Sequence, residues 1–329
     1  MAAATATAEA GAKPAPAEPT QAKLWLLATR APFLVASVIP AVLGIVLAFV
    51  QVGSLDAALA LLTVGGTASF QIATNMLNDN FDYRSGNDQA VDHKNPFAGG
   101  GRVLTTGRIP LGAHAAVATV FLAVGTLIGF VIFFALGGLS TYAGTLLLMI
   151  GVLGFGAVVF YVGPPLKFAH RGLGEIVVGL SFGPLVVLGA YITQARTVTL
   201  SAVALSVAIG LLVTAILWIN EFPDRKADLS VGKRTAMARL GPTRSLKVYE
   251  GMLYGAFVAL PVAVLLGAPP TTLLALLAAP VALKTMKAAR ANYEDPHALI
   301  PANAGTIGLT VIFGILLIAG TALGTVVRI

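Results

Sequence analysis

The chain has 329 residues, no cysteine, a formal charge of +7, and 57% hydrophobic against 11% charged residues. Soluble domains carry roughly 25% charged residues, so a soluble fold is excluded and an integral membrane protein is implied. The lack of cysteine excludes disulfides, thiolate catalysis and cysteine metal sites. Basic residues confined to short loops between apolar runs report membrane orientation, not nucleic-acid contact.

Residues 1–20 are rich in Ala, Pro and Thr and lack the continuous apolar core of a signal peptide. A disordered cytoplasmic tail is expected there, followed by one transmembrane domain over 21–329. A bilayer crossing takes about 20 apolar residues. Nine runs qualify: 24–50, 55–79, 111–137, 140–161, 172–194, 199–221, 246–267, 271–289 and 304–327. The eighth is the weakest, because Lys284 and Lys287 enter its end. With the N-terminus inside, all but Arg196 and Arg328 of the 21 Lys and Arg residues fall on one side. That asymmetry predicts a cytoplasmic N-terminus and an external C-terminus.

The first polar interruption is "NMLNDNFDYRSGND", Asn75 to Asp88, at the end of the second run. Charges at the edge of a bilayer are costly and usually functional. A related pattern follows the sixth run: Asn75-x3-Asp79-x2-Asp82 is matched by Asn220-x3-Asp224-x3-Asp228. At 100° per residue the first three fall within about 60° of one helix face, and the second three within about 80° if Pro223 leaves the helix intact. Carboxylate and amide oxygens together suit Mg²⁺, a hard cation that binds one or two carboxylates plus substrate phosphates. Arg84, Lys94 and Arg102 accompany the first cluster, and Arg225, Lys233 and Arg234 the second. Acids interleaved with bases point to a metal-bridged diphosphate. The run Gly99–Gly101 before Arg102 offers backbone N–H groups to phosphate.

These motifs resemble those of the UbiA-type intramembrane prenyltransferases. "NDNFDYRSGND" is similar to the family's first aspartate motif and "NEFPDRKADLSVGKRTAMARLG" (220–241) to its second. The stretch 161–194 resembles the 1,4-dihydroxy-2-naphthoate prenyltransferases, the menaquinone branch. One departure supports that branch: Gly86 stands where the widely quoted first motif has its last Asp, and the next acid is Asp88.

The resemblance implies an all-α membrane protein of nine helices around a central cavity, in two similar halves carrying the motifs at 75–92 and 220–234. It implies transfer of a prenyl chain from a polyprenyl diphosphate to an aromatic acceptor, 1,4-dihydroxy-2-naphthoate, with loss of a ring carboxyl. Two Mg²⁺ ions are expected, one on Asn75, Asp79 and Asp82 and one on Asp224 and Asp228, with Asn220 supporting the second. Arg84, Lys94, Arg102, Lys233 and Arg234 are the diphosphate candidates. Asp79, Asp82, Asp224 and Asp228 carry the chemistry. Glu175 either orients an acceptor hydroxyl and takes its proton, or is an acid favoured by the dipole of a helix start. Tyr161, Lys167 and His170 share that ambiguity. Phe81, Tyr83 and Phe222 either line the pocket or pack. The expected setting is a bacterial inner membrane, with the active-site loops cytoplasmic and the donor's tail among membrane lipid.

Three rivals remain at this level: the same chemistry on another acceptor (4-hydroxybenzoate, homogentisate, a tetrapyrrole or a glycerol phosphate), an ion-coupled transporter, and a CDP-alcohol phosphotransferase. The last lacks its Asp-Gly-x2-Ala-Arg pattern here. The acids sit at helix ends on one side, which argues against a conducting path across the midplane.

Overall fold

The computed structural model describes residues 19–92, 95–97 and 103–326. Among these, nine segments are helical, apolar and long enough to cross a bilayer: α1 (Gln21–Val52), α2 (Ala57–Ser85), α3 (Leu111–Ala135), α4 (Tyr142–Phe160), α5 (Gly174–Ala195), α6 (Leu200–Ser230), α7 (Pro242–Leu265), α8 (Pro270–Asn292) and α9 (Ile300–Leu323). Every apolar run of the sequence is therefore a helix. Lys284 and Lys287 do not break α8, because both side chains are exposed.

Two helices run well past their expected ends, α2 by six residues and α6 by nine. Hydropathy marks the end of a membrane run. A helix, by contrast, ends where its backbone bonds end. Local caps set the starts: the side chains of Asp56, Thr141 and Thr199 accept from the N–H groups of Leu59, Gly144 and Ala202, satisfying otherwise orphaned first-turn donors. Near its start α1 is broken at Arg30, whose backbone is left-handed (φ 51°). α5 carries a π-helical turn over Ser181–Leu185 that contains Pro184.

α6 is the central helix, with 78% of its apolar window buried, against 17% for α4. A core of Leu43 and Leu47 from α1, Leu205, Ile209 and Leu212 from α6, Leu253 from α7 and Phe313 from α9 joins these helices. Tyr249 of α7 shares a 2.7 Å hydrogen bond with Thr306 of α9. Lipid tails are as apolar as these side chains, so close packing rather than escape from water holds membrane helices together. α5 and α6 show this at Gly210, where a Cβ would stand 2.6 Å from the carbonyl oxygen of Gly179. Only a residue without a side chain permits that approach.

Candidate active site

The first acidic motif stays on one helix face because α2 continues through it. Gly86 then ends the helix in a left-handed conformation (φ 81°), which costs glycine no Cβ clash. A single helical turn, Asn87–Ala90, follows. It buries Asn87 and Asp88 beside the acids the chain has just left. Burial, reinforced by Asp82 and then Asp79, pushes the Asp88 carboxyl up to about 7. The two-residue displacement of this acid in the sequence thus brings it back to the same cluster.

The second motif lies on α6, which passes through Pro223 without stopping. Proline has no N–H, so the carbonyl four residues earlier loses its helical donor. That carbonyl, on Ile219, accepts from Asn303 Nδ2 of α9 at 3.1 Å. The helix survives because a neighbour replaces the missing bond, and Asp224 and Asp228 keep their helical places. Past its end, Gly232 adopts φ 77° and the backbone N–H of Lys233 donates to the Asp228 carbonyl at 2.8 Å. This turns the Lys233 side chain back over the acids.

The two motifs meet at one end of the bundle. Lys233 Nζ lies 3.6 Å from Asp82 Oδ2 and 3.4 Å from Asp228 Oδ1, bridging α2 and α6. Asn87 Nδ2 donates to Asp228 Oδ1 at 3.0 Å, and Asn78 Nδ2 to Asp82 Oδ2 at 2.9 Å. Asp79 is paired with Arg30. Burial opposes the Lys233 charge, but Asp82 and Asp228 outweigh it and hold the ammonium above its usual range.

This cluster caps a cavity of about 570 Å³. Arg30, Asn75, Asn78, Asp82, Asn87, Asp88, Asn220, Glu221, Asp224, Asp228 and Lys233 line its polar end. Its walls are apolar: Phe70 of α2, Ile128 and Phe133 of α3, Leu147 of α4, Phe182 of α5 and Leu217 of α6. Along α6 the lining runs from Val213 to Asp228, about 22 Å at helical rise. Thr63 and Thr193, whose hydroxyls lie 3.4 Å apart, stand at the far end.

Most of the expected site residues are thus brought together, but not all: Asp79, paired with Arg30, is itself not among the residues lining the cavity. Arg84 and Arg234 are exposed and are not among the residues lining the cavity. Lys94, Arg102 and Gly99–Gly101 lie outside the described residues. Glu175 is buried in the first turn of α5, where its Oε1 accepts from the Ala236 N–H at 2.6 Å. It caps the turn Ala236–Leu240 and neighbours Glu221 without lining the cavity. Tyr161 does line the cavity; burial, and then Glu221, push its phenol up. His170 sits outside the cavity, lowered by burial and then by Lys233. Phe81 and Tyr83 are not among the lining residues, and Phe222 packs edge-on against Tyr293.

Sequence reasoning missed Arg30, Asn87 and Glu221. Arg30 had a signal, as a lone cation at the head of the first apolar run. Asn87 had none, since its role depends on the turn after Gly86. Nor had Asn303, a buried polar residue of the last helix.

The donor set suits a hard divalent cation. Asp82 Oδ1, Asn87 Oδ1 and Asp88 Oδ2 are buried without a hydrogen-bond partner, and such oxygens are costly unless something satisfies them. Among the described residues no three His, Cys, Asp or Glu side chains form a ready-made cage. Mg²⁺ does not require one, because it is usually completed by water and substrate phosphate.

Comparison with known proteins agrees with this geometry. The model of the UbiA prenyltransferase family matches residues 37–307. The chain is 32% identical over 261 residues to the 1,4-dihydroxy-2-naphthoate octaprenyltransferase of Mycobacterium tuberculosis, covering 79% of this chain and 84% of that one. It is 31% identical over 250 residues to the enzyme of the same name from Escherichia coli, covering 73% and 76%. A UbiA homologue from Archaeoglobus fulgidus, solved bound to GPP and Mg²⁺, superposes with a TM-score of 0.61 at 15% identity, over 90% of this chain and 99% of that one.

Proposed function

The chain belongs to the UbiA prenyltransferase family, and from that premise we propose that it transfers a polyprenyl chain from its diphosphate to 1,4-dihydroxy-2-naphthoate, using Mg²⁺. One observation carries this reading: the acids of two helices, 145 residues apart in sequence, converge with Lys233 over a long apolar cavity. The naphthoate acceptor rests on the similarity to the 1,4-dihydroxy-2-naphthoate octaprenyltransferases.

Asn75, Asp79, Asp82 and Asp88 are assigned to one Mg²⁺, and Asp224 and Asp228 to the other. Bound there, the ions supply charge neutralisation to a diphosphate leaving group. Lys233 and Arg30 offset the charge of the acids while no metal is bound and offer N–H donors to the diphosphate. The C–O bond of the allylic diphosphate breaks, and its electron pair leaves with the diphosphate. The resulting cation needs a dry environment, which the walls of α2 to α6 provide. The electron-rich ring carbon that bears the carboxylate then bonds to the prenyl carbon; its C–C bond to the carboxylate breaks, carbon dioxide leaves, and that electron pair restores the aromatic ring. Tyr161, which lines the cavity, is assigned to present its hydroxyl to the acceptor. The acidic end is assigned to the cytoplasmic face of a bacterial inner membrane, and the whole transmembrane bundle to a single domain.

The test is purified protein with a labelled prenyl diphosphate and a panel of acceptors, with and without Mg²⁺, with products identified by mass. Prenylated naphthoate formed only with Mg²⁺ supports the reading. Product with 4-hydroxybenzoate or another acceptor alone moves it to another branch, and no product with any acceptor overturns it.

A further inference from the structure

The two motifs start with the same residue, yet their asparagines face the cavity in opposite senses. The cause is a chain of three buried amides. Asn95 Oδ1 accepts from the Phe97 N–H at 3.0 Å, and Asn95 Nδ2 donates to the Pro296 carbonyl at 3.0 Å. A backbone donor at one end and a backbone acceptor at the other leave this amide only one orientation. Asn95 Nδ2 therefore donates to Asn303 Oδ1, also at 3.0 Å. Asn303 Nδ2 is fixed in turn by the carbonyl of Ile219, the one that Pro223 leaves without a helical donor. Its second hydrogen goes to Asn220 Oδ1 at 2.8 Å. Asn303 is fully buried, and both atoms of its amide are engaged.

Asn220 lines the cavity with its oxygen turned towards Asn303, so Nδ2 is the atom it has to offer a ligand. In Asn75, by contrast, Nδ2 donates to the Thr29 carbonyl at 3.4 Å, which leaves Oδ1 for the cavity. An amide oxygen suits a metal, whereas an amide N–H suits an anionic oxygen.

We infer that Asn220 is a substrate-binding hydrogen-bond donor rather than a metal ligand, with its polarity set by the relay Asn95–Asn303. Its ligand is an anionic oxygen, belonging either to the diphosphate or to the acceptor. This rests on the prenyl-transfer reading above and deepens it. Asn303 is a positioning residue that touches neither substrate.

Asn220→Asp separates the alternatives, because it replaces the N–H by an oxygen of the same shape. Asn220→Ala removes the group altogether. Mg²⁺ binding is measured by calorimetry on the full chain in detergent without substrate, then inorganic diphosphate binding with Mg²⁺ present, and finally KM for each substrate.

A donor role predicts that both variants bind Mg²⁺ at least as well as the parent. Both then lose about ten- to hundredfold in affinity, the usual effect of losing a hydrogen bond to a charged group. Loss of inorganic diphosphate binding assigns the oxygen to the diphosphate. Unchanged diphosphate binding with a raised acceptor KM assigns it to the acceptor. Weakened Mg²⁺ binding in Asn220→Ala with retention in Asn220→Asp overturns the inference, as do parental values of every constant in both variants. Should the parent transfer no prenyl chain, the functional reading fails by itself. The donor role is then judged on inorganic diphosphate alone, with undiminished binding in both variants counting against it.

Discussion

Replacing Lys233 by Met removes one charge and keeps most of the volume, and its consequences can be worked through from the contacts. Lys233 is the sole described cation within 4 Å of Asp82 and Asp228, at 3.6 and 3.4 Å, with its side chain 13% exposed. Breaking a buried ion pair costs about 3–5 kcal/mol when the partner charge is stranded. Here the acids are not stranded: Asp82 keeps Asn78 and Asp228 keeps Asn87. We therefore expect about 1–3 kcal/mol of lost stability in the metal-free protein, within the range for one unsatisfied buried partner. It is read as a lowered melting midpoint in detergent. Mg²⁺ binding without substrate should tighten, because the ammonium no longer competes for the same oxygens. Catalysis should move the opposite way. Losing one positioned donor at a developing negative charge typically costs about 10²–10³ in rate, and KM for the prenyl diphosphate should rise more than KM for the acceptor. A Lys233→Met enzyme with kcat/KM within about threefold of the parent would refute the argument. So would weaker Mg²⁺ binding, since it would show that Lys233 organises the acids rather than occupying them.

Three further outcomes are expected. Asp79→Ala and Asp224→Ala should each abolish Mg²⁺-dependent transfer while the far-ultraviolet circular dichroism stays helical; full activity in both would remove the site. Gly210→Ala should lower the melting midpoint by the equivalent of about 1–3 kcal/mol, the usual range for overpacking, because its Cβ meets the Gly179 carbonyl at 2.6 Å. An unchanged midpoint would contradict the close approach of α5 and α6. The chain has no native cysteine, so single cysteines at Arg239 and Arg196 can be labelled cleanly. The first should react only from the cytoplasmic side and the second only from outside, and the reverse pattern would invert the assigned orientation.

The nine spans were legible because a helix crossing lipid must satisfy its own backbone and stay apolar over a bilayer's thickness. That is a one-dimensional property, and it survives in the sequence. Helix ends were less so. Hydropathy ended the sixth run at 221, whereas α6 reaches Ser230, because the bond Pro223 cannot make is supplied by Asn303. The acids of both motifs were legible from their spacing. Which cations serve them was not: Lys233 lines the cavity, whereas Arg84 and Arg234, just as near the motifs in sequence, are exposed. Arg30, far away in the chain, pairs with Asp79.

The sequence alone determined that this is a membrane-embedded bundle with two acidic motifs at helix ends, because composition and helical periodicity are local properties. It also pointed to the family, through those motifs. Only the tertiary structure decided what two similar asparagines present to the cavity. Asn75 donates to the carbonyl of Thr29, whereas Asn220 accepts from Asn303. An amide has a donor end and an acceptor end, and which end faces the cavity depends on the group behind it. For Asn220 that group lies 83 residues further along the chain.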